Sequence, residues 1–215
     1  MYLSNLHTSA MKPADKVTTI RIILAPVFFV VFNFYDIFSF WKFQPYWQIP
    51  VLWIIFTVAE LSDMLDGMIA RKRQEVSDFG KLFDPFADTI FQITLFFGFV
   101  RQNILPMIPF LLVVYREFAI LFVRNLMQRK GISMGARTGG KIKTVIYIFT
   151  GVLALGVFNL RILFPCFADA GLSDLYNQIY PLLSRAAVVV FLLAVVLSLL
   201  SFADYVRIYV KSAKP

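Results

Sequence analysis

Histidine and cysteine are nearly missing: the 215 residues include one of each, His7 and Cys166. A single thiol excludes an intrachain disulfide framework and any cysteine zinc cluster. A lone histidine in the N-terminal tail argues against histidine acid–base catalysis. Acids are also scarce, 13 against 21 Lys and Arg, so the net charge is +8. Charged residues make up only 16% of the chain and hydrophobic ones 59%, above the roughly 45–50% apolar share of a soluble domain. A soluble core of this size could not bury so much apolar surface, so lipid must be the main solvent. The excess positive charge then points to anionic lipid, and no nucleic-acid partner is expected.

About 20 apolar residues cross a bilayer. Six such stretches can be drawn, near 17–34, 49–71, 79–99, 105–127, 141–158 and 182–208. The expectation is an all-α, polytopic membrane protein with six transmembrane helices. Residues 1–16 form a juxtamembrane segment and 17–215 one membrane-embedded domain. The first 16 residues lack the charged start and cleavage site of a removable signal peptide. Sixteen of the basic residues fall on one side of this layout, including Arg71, Lys72, Arg73, Arg129 and Lys130. Lys42, Arg101, Arg161 and Arg185 fall on the other, and Arg116 lies inside the fourth span. That bias places both termini and the two basic loops in the cytoplasm. Trp41, Trp47 and Trp53, with Tyr35 and Tyr46, gather at the opposite face as an interfacial belt. Residues 169–180 read as a polar extracytoplasmic loop.

Seven of the 13 acids lie between Glu60 and Asp88. Glu75 and Asp78 fall in the turn between the second and third spans, where water can solvate them. Asp63 and Asp66, three apart, share a face of the second helix; Asp84 and Asp88, four apart, share a face of the third. A tight turn makes the two helices an antiparallel hairpin whose acidic faces can meet. At 1.5 Å per residue Asp66 sits roughly 26 Å from Ile49, near the cytoplasmic boundary. Converging carboxylates would repel unless cations neutralised them. Oxygen ligands without histidine or thiolate suit Mg²⁺, Mn²⁺ or Ca²⁺. Two divalent ions on four carboxylates suit displacement at a phosphate. Gly67, Ala70 and Gly80 add a face without bulk, which either admits a ligand close to backbone or helps helices pack.

Asp63-Met-Leu-Asp66-Gly67-Met-Ile-Ala70-Arg71, then eight residues to Gly80, three to Asp84 and three to Asp88, resembles the signature of the CDP-alcohol phosphotransferases. All eight fixed positions of that pattern are filled. The resemblance implies the six-helix fold of that family, usually as a homodimer, and a site for two divalent ions, Mg²⁺ or Mn²⁺. It makes Asp63, Asp66 and Asp84 metal ligands, and Asp88 both a ligand and the general base. Asp63, Asp66, Gly67, Ala70, Arg71 and Gly80 would receive the CDP-lipid. The run Lys16-Val-Thr18-Thr-Ile-Arg21 resembles the family's opening motif, which adds Thr18 to that set; Asp15 and Ala14 stand where an asparagine and a proline are expected.

The acceptor alcohol is decided outside this motif. Arg116 is too deep to snorkel, so it needs a buried partner, Glu117 or Glu60, or an anionic ligand. Arg124 lies roughly 12 Å further along the same helix, and Lys141 and Lys143 open the fifth span. Arg124 and the lysines are either membrane-surface anchors or phosphate ligands. Tyr115-Arg116-Glu117-Phe118, Val123-Arg124 and Gly140-Lys141-Ile142-Lys143-Thr144 resemble the bacterial branch of the family that joins CDP-diacylglycerol to glycerol 3-phosphate. That likeness implies an acceptor-phosphate pocket of Arg116, Arg124 and Lys141 in the bacterial inner membrane. Inositol phosphate is the alternative acceptor; choline and serine suit a basic pocket less well.

Two further readings of the acids compete with catalysis. An ion or proton path would need polar groups towards the outer face, where Phe, Ile, Leu and Val dominate. A purely structural role would pair the aspartates with Arg71, Arg73 and Lys81, but surface pairs contribute little. Gly135-Ala-Arg-Thr-Gly-Gly140-Lys141 nearly spells a P-loop. Ile142 stands where Ser or Thr must ligate Mg²⁺, and no strand precedes it. It reads as a cytoplasmic basic loop.

Overall fold

The computed structural model describes residues 13–38, 45–73, 78–129 and 138–212, and describes side chains at 18–38, 46–62, 80, 83–127 and 142–211. No strand occurs among the described residues. The helices are α1 (Pro13–Phe32), a single turn α2 (Phe34–Ile37), α3 (Gln48–Arg73), α4 (Asp78–Arg101), α5 (Met107–Arg129), α6 (Thr138–Asp169) and α7 (Ser173–Ser212). Three stretches are long and apolar enough to cross a bilayer: Phe83–Arg101, Ile142–Asp169 and Ser173–Lys211. Thr18–Phe32 and Gln48–Ser62 are shorter apolar helices. Arg116, Glu117 and Arg124 interrupt the apolar run of α5. The chain is thus a multi-pass membrane protein built of helices, as its composition requires.

The six long helices run up and down. At one end Gln48 Nε2 donates to the Val31 carbonyl at 2.6 Å, and Arg101 reaches Asn33 Oδ1 at 2.5 Å. Arg161 donates to the Gln102 carbonyl there, also at 2.5 Å. The opposite end carries the start of α1 and the end of α3. The start of α4, the end of α5, the start of α6 and the end of α7 join them. α1 packs along both α3 and α4, and α7 packs along both α6 and α5. Stacked and edge-on rings join the two groups: Phe32 of α1 lies 4.2 Å from Phe158 of α6, and Phe96 of α4 lies 5.2 Å from both Tyr147 and Phe191. Such offset and edge contacts give aromatic pairs a fixed geometry beyond their buried area.

The meeting of acidic faces expected of α3 and α4 rests on Asp63 and Asp66, whose side chains lie outside the described residues; α1 packs against both helices. Two expectations change. Asp78, read as part of the turn, begins α4. The segment read as a polar loop at 169–180 is mostly helix. α6 continues 11 residues past the drawn end and α7 starts nine residues early, leaving only a turn at Gly171, whose φ of 69° favours glycine. Side-chain pairing between the helix ends explains this. Phe164 packs 4.6 Å from Tyr176, Tyr176 stacks 5.3 Å from Tyr180, and Arg161 Nε donates to the Tyr180 hydroxyl at 2.7 Å. Polarity alone hid a helical hairpin tip. The near P-loop is likewise no loop from Thr138 onward, where α6 starts.

Gly151 marks the closest approach of α6 to its neighbours. A Cβ there would stand 2.7 Å from the buried Phe56 ring and 3.4 Å from Leu95. Gly151→Val therefore overpacks the core and is expected to lower stability by about 1–3 kcal/mol. Thermal unfolding in detergent measures this; an unchanged midpoint would show that the ring can move aside.

Candidate active site

α1 presents a helical stripe, Thr18, Arg21, Ala25, Phe28 and Phe32, whose outer part is core and whose first turn is polar. α4 presents Asp84 and Asp88 before its own core positions Phe91 and Leu95. Packing one stripe against the other brings the polar turns together. Thr18 Oγ1 donates to Asp84 Oδ1 at 2.6 Å, and Arg21 forms an ion pair with Asp88. Arg21 is only 2% exposed, whereas the Asp88 side chain keeps 42% of its surface. Asp88 is therefore gripped from behind and open in front. Between its two acids α4 carries Pro85, which has no N–H to give to a preceding carbonyl.

The open side of Asp88 faces a cavity of about 310 Å³ to which all six long helices contribute. Asp84 and Asp88 line it from α4 and Glu60 from α3; Arg116, Glu117 and Arg124 line it from α5 and Lys143 from α6. On α5 the buried positions Phe110, Val113, Arg116, Glu117, Ile120 and Met127 follow one helical stripe, so Arg116 and Glu117 occupy core positions. Arg116 Nη1 donates to both Glu117 oxygens at 2.9 Å, and its Nε donates to the Ser198 carbonyl at 3.1 Å. Lys143 Nζ donates to Glu117 Oε1 at 2.7 Å. Arg124 stands at the rim, its guanidinium 5.4 Å from the centre of the Tyr205 ring and bonded to that hydroxyl at 3.4 Å. Carboxylates and cations thus line one and the same space.

Of the residues expected from sequence, Thr18, Asp84, Asp88, Arg116 and Arg124 come together around this cavity. Gly80 is buried in α4. Asp63, Asp66, Gly67, Ala70 and Arg71 belong to α3 and Lys141 to α6, but their side chains lie outside the described residues. Arg116 takes Glu117 as its buried partner, and it lines the cavity as well.

The sequence alone left Lys143 open between anchor and phosphate ligand, counted Arg21 among the anchoring charges, and assigned nothing to Tyr147, Ser198 and Tyr205. One signal was available for α7. Ser198, Ser201 and Tyr205 recur at helical spacing inside an otherwise apolar span, and all three are buried.

Arg21→Met would leave the Asp88 carboxylate without its ion-pair partner. Breaking a fully buried pair costs about 3–5 kcal/mol. With Asp88 open to the cavity, a loss of about 1–3 kcal/mol is expected in thermal unfolding; a variant as stable as the wild type would remove the pair from the account.

The sequence is also similar to known proteins. The family model described as CDP-alcohol phosphatidyltransferase matches residues 11–200. A Treponema pallidum protein named CDP-diacylglycerol–glycerol-3-phosphate 3-phosphatidyltransferase is 36% identical over 156 residues, 73% of this chain and 68% of its own length. A Bacillus subtilis protein of the same name is 32% identical over 165 residues, 74% and 84% of the two chains. A Mycobacterium tuberculosis protein named probable phosphatidylglycerophosphate synthase is 29% identical over 193 residues, 90% and 79%. With both its motif and most of its length accounted for, the chain belongs to the CDP-alcohol phosphatidyltransferase family.

Proposed function

We propose that the protein transfers a phosphatidyl group from CDP-diacylglycerol to glycerol 3-phosphate, releasing phosphatidylglycerophosphate and CMP. The observation that carries this reading is the cavity itself, lined by Asp84 and Asp88 together with Arg116, Lys143 and Arg124. The names of the relatives point the same way. A cationic wall serves an acceptor that already carries a phosphate; choline or ethanolamine would find no counter-charge there.

The family generally uses divalent metal ions. The donor set here is carboxylate oxygen without thiolate or imidazole, which fits a hard cation. Asp63, Asp66, Asp84 and Asp88 would hold two such ions, Mg²⁺ or Mn²⁺, whose charge when bound offsets that of the pyrophosphate and the departing CMP. Gly67, Ala70, Arg71 and Gly80 receive the cytidine side of the CDP-lipid. Thr18 fixes the rotamer of Asp84 through its hydrogen bond. Arg21 holds Asp88 from behind, so the carboxylate is presented to the cavity. Arg116, Arg124 and Lys141 take the phosphate of the acceptor, which orients its free hydroxyl towards Asp88. Asp88 accepts the hydroxyl proton as the new ester bond forms. Positioning two anionic substrates against each other supplies much of the rate.

The same reading gives six transmembrane crossings within 17–215, with 1–16 as a juxtamembrane segment. Both termini and the site face the cytoplasm of a bacterial inner membrane, and the protein acts as a homodimer. The basic residues concentrated at the site end support that orientation. The acyl chains of the donor then remain in lipid while its headgroup enters from the cytoplasmic leaflet.

Incubating the purified protein with CDP-diacylglycerol, Mg²⁺ and each labelled acceptor in turn tests the assignment. Product is expected from glycerol 3-phosphate; its absence, with product from inositol phosphate, would reject the acceptor. Asp88→Asn is expected to reduce CMP release by at least about 100-fold with the fold retained by circular dichroism; full turnover in that variant would remove Asp88 as the base.

A further inference from the structure

Arg116 and Lys143 share one buried carboxylate, Glu117, to which the reaction described above gives no role. Glu117 is 4% exposed and accepts hydrogen bonds from two cations, Arg116 on its own helix and Lys143 on α6. The Tyr147 hydroxyl lies 3.4 Å from Glu117 Oε1 and 3.1 Å from Ser198 Oγ. Arg116 Nε is bonded to the carbonyl of the same Ser198. One carboxylate therefore links α5, α6 and α7 at the depth of the cavity.

Stability alone does not account for this arrangement. Burying three charges costs about as much desolvation as their attraction returns, and apolar residues of similar volume often do as well. The surrounding stripe positions, Val113 and Ile120, are apolar. What the carboxylate adds is placement. Neighbouring residues on a helix do not face each other, so Arg116 has to fold back along α5 to reach Glu117. Two of its three guanidinium nitrogens are then committed to protein groups, which fixes the plane of the third. Lys143 gives one of its three ammonium hydrogens to Glu117, lies 4.7 Å from the centre of the Tyr147 ring and also lines the cavity. The local count also matters: within this triad two cations share one carboxylate, so the three groups together carry one positive charge in excess.

We propose that Glu117 is a positioning residue for the acceptor: it holds Arg116 and Lys143 at the cavity wall so that their shared excess charge binds a phosphate monoester. The proposal rests on the phosphorylated-acceptor reading above. It makes the placement of Arg116 and Lys143 depend on Glu117, so that one anion becomes necessary for binding another.

The test is steady-state kinetics on the full-length enzyme in detergent, varying each substrate separately, with thermal unfolding alongside. Glu117→Gln removes a charged hydrogen-bond acceptor and is expected to raise KM for glycerol 3-phosphate by about tenfold or more. KM for CDP-diacylglycerol should stay within about twofold of wild type, a split that a general loss of packing would not give. Glu117→Asp keeps the charge and should recover part of the effect. It also carries the same test if the glutamine variant does not fold. Combining Glu117→Gln with Lys143→Gln should raise KM by less than the product of the single effects, because the two act through one contact. An unchanged or lowered KM for the acceptor, or equal changes in both KM values, overturns the role of Glu117. If the wild type prefers another phosphorylated alcohol, the glycerol assignment fails and the Glu117 test is read on that alcohol. If it uses only an unphosphorylated one, both readings fall.

Discussion

An ionised side chain inside a helical bundle surrounded by lipid must bring its counter-charge with it, and almost every feature of this site follows from that requirement. Asp84 and Asp88 cannot sit beside core phenylalanines without donors, and α1 supplies them as Thr18 and Arg21. Arg116 cannot lie in the middle of α5 without an acceptor, and Glu117 and Ser198 supply it. Each pairing joins different parts of the chain, so satisfying the charges also determines which helices must be neighbours. α1 lies against α4 where Thr18 and Arg21 meet the two acids, and α5 lies against α7 while Lys143 and Tyr147 of α6 reach its one carboxylate.

The division of labour between the acidic and basic linings of the cavity has a similar origin. The acidic wall can be neutralised by mobile divalent ions, so its carboxylates may be left partly open, as Asp88 is. In the proposed reaction the basic wall meets a substrate that comes and goes. Its cations are therefore pinned by protein groups: Arg116 and Lys143 by Glu117, and Arg124 by the ring and hydroxyl of Tyr205. A long, flexible cation that is already immobilised loses less entropy when an anion arrives.

Much of this was legible in the sequence because the relevant signals are local. Hydrophobic length gave six long helices, and the spacing of Asp84 and Asp88 gave a shared face on α4. The depth of Arg116 demanded a partner, and its neighbour Glu117 is that partner. What the sequence hid depends on contacts between distant segments. Nothing local shows that α1 packs against both α3 and α4, or that Arg21 is an ion-pair partner and not a surface anchor. Lys143 looks like any basic residue at a helix start until α6 is packed against α5. The helical tip at Phe164–Tyr180 was hidden because its turns are held by aromatic partners on the opposing helix, Phe164 and Phe167 against Tyr176, not by their own hydropathy.

That tip also bears on how the protein sits in its membrane. The apolar stretches of α6 and α7 cover 28 and 39 residues, roughly 42 and 58 Å of helix, against a hydrocarbon layer of about 30 Å. Neither fits within that layer without tilting or projecting beyond it. Because the two are locked side by side to their far ends, the surplus length can be exposed or submerged as one arm. Hydrophobic mismatch in a thicker or thinner bilayer is then taken up at the tip, and the depth of the acid cluster at the other end need not change with it. An enzyme whose product becomes part of its own solvent keeps its site level while the composition of that solvent shifts.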